Sequence, residues 1–571
     1  PGALDIDENC QVCLPTAIIF FTKEDMGCSL SQPKAGGLSS FHPGSVEITR
    51  EKSVALRRMK GTEASRFTQG LVKVNEQDIH EVYNINWDDD KSVLGSGING
   101  SVRQAVHRQT GKVFALKTIE TFMMEPGIVA QLYEEVAIMR ILDHPNCIKI
   151  LETYTDFTRL YVVMECCQGG ELFDLMMEEP GQKFNEERAK VYSRKILSAL
   201  NYLHGNNIIH RDLKLENFLL TRKDDKGELK LIDFGLSRAY LEGESIKRVI
   251  GTTFYMSPQV LKGNYSVSAD MWSFGVCVFI LLSGRLPFGG STDQVVEMNI
   301  NYGKYYFHQQ VWEGVSDEAK NFISNLLVHD VDKRMTAAQA LEHPWMKGGV
   351  SPSVPGSTVP DDLGLDDNHL VSRMKEFRLC SNLKRAALLA VSRSLEDDEI
   401  ASMREAFQLA DDNCNGVITH DEFINIMRSH GVMDQQESSA LFSSIDQDHT
   451  LTITYNEFLA ACIDKKQYLD ERRIVDAFHK LDIDNRGEIS RNNLMTLFGD
   501  ACSEEEIGSM LDAADFNNDG FIDLDEFRRM MNGETKEMGA GAKRASIVKF
   551  TNNVQAQTGV KSKYVVPTPK W

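Results

Sequence analysis

Four twelve-residue stretches in the C-terminal part of the chain are dense in side-chain oxygens at regular intervals. Asp411-Asp412-Asn413-Cys414-Asn415-Gly416-Val417-Ile418-Thr419-His420-Asp421-Glu422 carries them at positions 1, 3, 5 and 9, with glycine at 6 and glutamate at 12. This is the spacing that a calcium ion needs: a sharp turn at the glycine, a main-chain carbonyl at position 7 (here Val417) and a bidentate carboxylate at the end. Asp515, Asn517, Asp519, Gly520, Phe521, Asp523 and Glu526 repeat the pattern. The middle two stretches depart from it. Asp446, Asp448, Thr450, Thr452 and Glu457 keep the oxygens, but Leu451 stands where glycine belongs. A side chain forced to positive φ costs roughly 1–2 kcal/mol, so weakened binding is expected there. In the third stretch, from Asp482, Arg486 puts a cation at position 5 and Asn493 removes the last carboxylate. A metal-free, structural loop is expected, pairing with its neighbour through Ile489.

A second set of chemistry-bearing residues lies upstream. Gly95-Ser96-Gly97-Ile98-Asn99-Gly100-Ser101-Val102 offers main-chain N–H groups without side-chain obstruction, which suits close approach to phosphate oxygens. Alone the pattern is weak, because dinucleotide-binding turns share it. Those turns open a helix, whereas Ser101 to Val106 alternates like a strand and Phe114-Ala115-Leu116-Lys117 reads as another. A lysine ending an apolar strand reads either as a snorkelling surface residue or as the partner of Glu135, on a helical run from Gln131 to Leu142. Beyond it come His210-Arg211-Asp212-Leu213-Lys214-Leu215-Glu216-Asn217 and Asp233-Phe234-Gly235.

In this order the motifs resemble those of the protein kinases. The resemblance runs from the glycine loop to His343-Pro344-Trp345 and includes Asp270-Met271-Trp272-Ser273-Phe274-Gly275 and Arg334. It implies a bilobal α+β fold that transfers the γ-phosphoryl group of ATP with Mg2+, a reaction governed by positioning and charge. By resemblance, Gly95, Gly97, Gly100, Val102 and Ala115 enclose the nucleotide, and Lys117, held by Glu135, contacts its α- and β-phosphates. Met164 is the gatekeeper before a hinge of Glu165-Cys166-Cys167. Asn217 and Asp233 hold magnesium, Asp212 accepts the proton of the substrate hydroxyl, and Lys214 neutralises the transferring group. Thr252 matches the loop threonine of Ser/Thr-specific enzymes. Glu171 and Glu216 match positions that recognise a basic residue upstream of the phosphoacceptor; the plainer reading is two solvated glutamates. A calcium-responsive scaffold or pseudokinase is the alternative, although every chemical group is present.

Two positions depart from the kinase pattern. Ser257-Pro258-Gln259 replaces the usual A-P-E triplet, which turns the expected ion pair with Arg334 into a neutral hydrogen bond and implies a softer C-lobe. Arg248 stands where many kinases carry an activating threonine, so activation must come from elsewhere.

The elements that position these groups can be read around them. At 571 residues the chain is too long for one core. Residues 1–80 read as a disordered leader, 85–345 as the kinase domain, 346–368 as a linker with Pro352, Pro355 and Pro360, and 533–571 as a basic tail. Repeats of roughly 35 residues make 396–532 an all-α calmodulin-like domain of four EF-hands. Between linker and sensor, 369–395 reads as one basic amphipathic helix: Leu370, Met374, Phe377, Cys380, Leu383 and Ala387 recur at helical spacing among Arg373, Lys375, Arg378, Lys384 and Arg385. Such a helix is either the sensor's lead-in or the segment that an opened EF-hand lobe grips. The order of kinase, basic helix and EF-hands is similar to the calcium-dependent protein kinases of plants and apicomplexan parasites across residues ~85–530. That resemblance implies a junction helix that inhibits the kinase at low calcium, with Arg385-Ala386-Ala387-Leu388 as a candidate substrate mimic.

Bulk composition bounds the rest. A 42% hydrophobic, 25% charged chain is ordinary globular protein, and a net charge of −21 argues against nucleic acid as a partner. Eleven cysteines lack metal-ligand spacing, apart from the ambiguous Cys10–Cys13 pair, and suggest reduced thiols in a cytoplasmic setting. A monomer is expected. Met26-Gly27-Cys28-Ser29-Leu30-Ser31 fits a myristoylation pattern with a second acylation site at Cys28. Either it is a chance hexapeptide or translation begins at Met26, with Gly27 and Cys28 anchoring the chain to a membrane.

Overall fold

The computed structural model describes residues 72–347 and 369–534, apart from 76, 98–99, 123, 225–226, 240–245, 247–249, 430–432, 448–449, 466–468 and 499–501. Gly27, Cys28, Arg248, Asp448, most of the leader, the linker and nearly all of the tail lie outside the described residues.

Alternating apolar strands build the first lobe. β1 (Lys73–Asn75), β2 (Tyr83–Ile85), β3 (Val93–Gly97), β4 (Gly100–His107), β5 (Val113–Glu120), β6 (Ile150–Thr155) and β7 (Arg159–Met164) form one sheet, ordered β1-β6-β7-β5-β4-β2 with β3 beside β4. Helix α1 (Pro126–Ile141) packs on it and starts at a proline, whose fixed φ suits a first helical turn. The second lobe is helical. Its α2 (Glu186–Gly205), capped by Asn185, lies beside α3 (Ser268–Ser283), which is buried on nearly all sides and correspondingly apolar. Short strands β8 (Gly170–Glu171), β9 (Ile208–Ile209), β10 (Phe218–Leu220), β11 (Leu229–Leu231) and β12 (Arg238–Ala239) shape the cleft between the lobes.

The sensor that follows is all-α but for two short ladders. Its first hand joins α6 (Asp397–Ala410) to α7 (His420–Ser429), and its second α8 (Gln435–Ile445) to α9 (Tyr455–Cys462). The third joins α10 (Glu471–Leu481) to α11 (Arg491–Phe498), and the fourth α12 (Glu504–Ala514) to α13 (Leu524–Met531). Within each pair the loops meet as antiparallel strands, Ile418 opposite Ile453 and Ile489 opposite Ile522. This is the bilobal α+β domain followed by four EF-hands that the sequence implies. Among the described residues no helix is long and apolar enough to cross a membrane.

Two expectations are corrected. Residues 72–80, read as disordered leader, contribute β1, parallel to β6 with Asn75 opposite Tyr154, and the start of a short helix, Ile79–Val82. A three-residue strand is too short for periodicity to reveal, and what anchors it is remote: Arg140 donates to the Val72 carbonyl at 2.6 Å. The junction is two helices, α4 (His369–Arg378) and α5 (Asn382–Ser392). Ser381 caps the second by accepting the Lys384 N–H, an alternative to helix continuation that serine favours. Leu370, Met374, Phe377, Leu383 and Ala387 are buried in the sensor core as their spacing requires.

The sensor packs on the kinase behind the hinge. Arg393, just past α5, is buried and donates to the Ile150 carbonyl at 3.0 Å. Lys149 reaches the Ser392 carbonyl at 3.5 Å; burial, with the Arg393 charge beside it, pushes this lysine down to about 7. Lower in the seam, buried Arg404 bridges Glu228 of the kinase, at 3.2 Å, and Asp397. Burial alone would raise the Glu228 carboxyl, but Lys195 and Arg404 hold it at about 2. Its contribution to stability is therefore complete above the ordinary carboxylate range and is lost only as pH falls towards 2. Arg404→Ala is expected to cost about 3 kcal/mol, because it leaves buried carboxylates short of a cation. Calorimetry on the full chain should show a lower midpoint, partly recovered when Glu228→Gln is added.

Candidate active site and calcium-binding loops

The cleft between the lobes gathers the kinase motifs. β3 and β4 form a hairpin with Gly97 opposite Gly100 and Gly95 opposite Val102. Gly100 has φ +141, and a Cβ there would lie 1.9 Å from the Thr118 carbonyl oxygen, so only glycine fits. On β5, Ala115 pairs with Met164 and Lys117 with Val162 and Val102. Lys117 Nζ lies 2.6 Å from Glu135 Oε1 on α1 and 3.8 Å from Asp233 Oδ1. Burial opposes the lysine's charge, yet the two carboxylates outweigh it and its pKa is raised. The snorkelling reading of Lys117 is thus excluded.

Asp212 is the hub of the second cluster. Its Oδ2 is 2.9 Å from Lys214 Nζ, and its Oδ1 accepts from the Thr252 N–H (3.0 Å) and hydroxyl (2.8 Å). Burial would raise the carboxyl, but Lys214 and Thr252 hold it below the usual range. Asn217 Nδ2 donates to the Asp212 carbonyl at 2.7 Å, tying the two side chains together. The loop itself is fixed from below, where buried Asp270 accepts the main-chain N–H groups of His210 (2.9 Å) and Arg211 (3.0 Å). Asp233 holds φ +57 beside Phe234, which is fully buried against the His210 ring. The half-exposed Asp233 carboxylate and the Asn217 amide bonded to Asp212 supply oxygen donors of the kind that suits a hard cation such as Mg2+.

The Glu165 side chain turns out of the cleft, accepting the Lys149 N–H at 2.8 Å and pairing with Lys230 at 3.1 Å. Cys167 is half-buried at the hinge, and burial pushes its thiol well up. Glu171 and Glu216 lie close enough to interact, joined by Asp174, which the sequence reading missed although it lies in the first turn of the helix that begins just after Glu171. Burial and these two neighbouring carboxylates raise the Glu171 pKa. The Gln259 amide serves both ends: its oxygen accepts from Arg334 at 2.9 Å, and its nitrogen donates to the His329 carbonyl at 2.7 Å. A glutamate there would face that carbonyl, so the softening expected from the substitution is largely offset.

The calcium loops are folded for their task. Asp411 accepts from the N–H groups of Asn415 and Gly416, and Glu422 from those of Asn413 and Thr419. Burial, reinforced by Glu422 and Asp412, pushes the Asp411 carboxyl up to about 7, the signature of crowded donors that a cation would relieve. In the fourth hand Asp515, Asp519 and Glu526 bring one oxygen each within 4.8 Å of one another. The second hand holds the same fold, with Asp446 bonded to Thr450 and Leu451 N–H, Thr450 beside Thr452, and Glu457 capping its own helix. Leu451 adopts φ +63, the strained position anticipated for it. In the third hand Arg486 pairs with Asp484 at 3.0 Å, and the Asn493 amide donates to the same carboxylate at 3.1 Å. Arg486 thus neutralises part of the loop's own negative charge.

A two-lobed domain with a lysine–glutamate pair over a buried aspartate hub defines a protein kinase, and paired helix–loop–helix units define EF-hands. The protein kinase domain model matches residues 89–346, and the EF-hand domain pair model matches 376–463 and 471–532. Calcium-dependent protein kinase 5 of Plasmodium falciparum is 33% identical over 474 residues, 82% of this chain and 81% of that protein. Calcium-dependent protein kinase 21 of Arabidopsis thaliana is 33% identical over 472 residues (81% and 85%), and calcium-dependent protein kinase 11 of rice is 34% identical over 475 (82% and 79%). The chain belongs to the calcium-dependent protein kinase family. It is a Ser/Thr protein kinase that uses Mg2+ with ATP and carries calcium-binding EF-hands.

Calcium titration calorimetry on the full chain should find no more than three sites. Glu526→Gln should remove one, and Asp484→Ala in the third hand should remove none.

Proposed function

We propose that this chain phosphorylates Ser/Thr hydroxyls in basic sequences and that its own sensor switches it on when calcium rises. The observation that carries the reading is the position of the sensor, which grips the junction helices while the Lys117–Glu135 pair is closed. Magnesium, held by Asn217 and Asp233, would supply charge neutralisation between the phosphates. Asp212, fixed by Lys214 and Thr252, orients the substrate hydroxyl and accepts its proton, while Lys214 offsets charge on the transferring group. Glu171, Asp174 and Glu216 form an acidic patch beside it, suited to an upstream arginine or lysine.

The junction supports the regulatory half. Its cations cap sensor helices at their carbonyl ends, where the helix dipole favours positive charge. Arg373 bonds the last carbonyl of α9, Cys462, at 3.4 Å, Lys384 that of Met531 in α13 at 2.6 Å, and Arg385 that of Ser444 in α8 at 3.0 Å. Without calcium these contacts weaken, and the basic junction is freed to compete for the acidic patch at 171–216.

Phosphorylation of an arginine-containing peptide by the full chain should rise at least tenfold from chelator to saturating calcium; equal rates would sink the autoinhibition. Asp212→Asn should lower kcat by roughly 10²–10⁴ with little change in nucleotide affinity. Glu171→Ala with Glu216→Ala should raise KM for the basic peptide about tenfold while leaving a peptide without basic residues unaffected.

A further inference from the structure

A cavity of about 1370 Å³ runs along the seam between the first lobe and the sensor. Asp143, Lys149, Glu165 and Lys230 line it from the kinase, and Arg393 and Tyr455 from the other side. Most of the charges there are matched. Glu165 pairs with Lys230 at 3.1 Å, and Asp143 accepts the Asn456 N–H at 2.9 Å. Farther along, Lys112 meets Glu396 at 2.9 Å and Lys480 meets Asp476 at 2.8 Å. Two donors are left short. The Lys149 ammonium reaches only the Ser392 carbonyl, at 3.5 Å, and forms no ion pair among the described residues. Tyr455 starts α9 with its ring set edge-on to Phe407, 5.0 Å away. Its hydroxyl is buried and has no hydrogen-bond partner among the described residues.

Both donors sit around Asp143, whose charge bears on each of them. A buried ammonium beside a buried guanidinium is costly unless something negative meets it, and an orphaned hydroxyl adds to that cost. Asp143 and Glu165 offset part of it, but each is engaged elsewhere, with Asn456 and with Lys230. What is missing is an acceptor with several oxygens and a full negative charge. A phosphoryl group meets that need, since it can accept from an ammonium, a guanidinium and a hydroxyl at once. The cavity is also far larger than one such group, and Leu142, Leu151, Leu395 and Leu459 give it an apolar wall. Clefts between domains of this kind are common ligand sites. We propose that the seam cavity binds a phosphate-bearing small molecule, its phosphoryl oxygens received by Lys149, Arg393 and the Tyr455 hydroxyl and its body lying against the leucines. Because the kinase supplies one wall and the sensor-side segment the other, such a ligand stabilises the two domains as they are arranged here. It is an input separate from the nucleotide cleft and from the calcium loops.

Lys149 is the reporter, because a lysine held at about 7 is partly neutral and reacts with acylating reagents. Phenyl phosphate is the probe. It is added to the full chain with calcium present and the nucleotide cleft filled by a non-hydrolysable ATP analogue and Mg2+. Acetylation of Lys149 by acetic anhydride is followed by peptide mass spectrometry. It should slow about tenfold as the probe saturates, while exposed Lys333 keeps its rate. Phenol, which has the ring without the phosphoryl group, should not protect. Tyr455→Phe removes only the orphaned hydroxyl, and about tenfold more phenyl phosphate should then be needed. Calorimetry under the same conditions should detect binding to the unsubstituted chain and none to Lys149→Met. Circular dichroism establishes that both variants are folded. Unslowed acetylation, equal protection by phenol, an unchanged requirement in Tyr455→Phe or undiminished binding to Lys149→Met each overturns the site.

Discussion

The contact between Lys117 and Glu135 is available only while α1 is held against the sheet, and the whole catalytic arrangement depends on that. A pair at 2.6 Å with both charges buried is favourable only when its geometry is closed; opened, it would leave each charge with a desolvation penalty of several kcal/mol. Glu135 sits two turns from the end of α1, and the chain that leaves α1 passes through Asp143, His144 and Lys149 to Ile150. Each of these four touches the sensor or the segment leading into it. The sensor thus touches the segment that follows the helix carrying Glu135, and contact between the two domains reaches the first lobe through that segment.

Electrostatics make that hold conditional. Burial of the first hand's loop, with Glu422 and Asp412 beside it, drives the Asp411 carboxyl up to about 7. The fourth hand brings oxygens of Asp515, Asp519 and Glu526 within 4.8 Å of one another, whereas the third hand balances Asp484 with Arg486. Two kinds of hand follow from one fold. One is strained until a cation arrives, and the other is already neutralised. The third hand can then serve as a fixed partner, presenting Ile489 to Ile522 whatever the calcium level.

Local chemistry was legible in the sequence and long-range packing was not. The glycine loop, Lys117, Glu135, the Asp212 hub and all four loops could be read because each depends on spacing within a few residues or on motif order. The closeness of Glu135 to Lys117 needed only a helix following a strand. By contrast, nothing near Arg393, Arg404 or Glu228 marks them as buried seam residues; their partners lie far away in sequence, 243 residues for the contact of Arg393 with Ile150. The Glu165 side chain answers to Lys149 and Lys230, and no spacing near it in the sequence marks those partners. The junction read as one helix because its apolar spacing continues through Cys380, and periodicity does not register a serine that prefers to start a new turn.

That break bears on how the switch works. With Ser381 starting a second helix, Lys384 and Arg385 fall at its N-terminal end, where the helix dipole disfavours cations. Burial lowers the pKa of both, so they too are held against a cost. What offsets the cost is the set of sensor carbonyls at Met531 and Ser444, which exist as a paired array only while both lobes close around α5. In the proposed switch, parted lobes would leave Lys384 without these acceptors and Arg385 with only the Cys380 carbonyl, free to meet solvent or an acidic surface. The kinase offers one at Glu171, Asp174 and Glu216. In the proposed switch Arg385 could not serve the sensor and that patch at once, so the mutual exclusion would reside in which carbonyls or carboxylates its guanidinium meets.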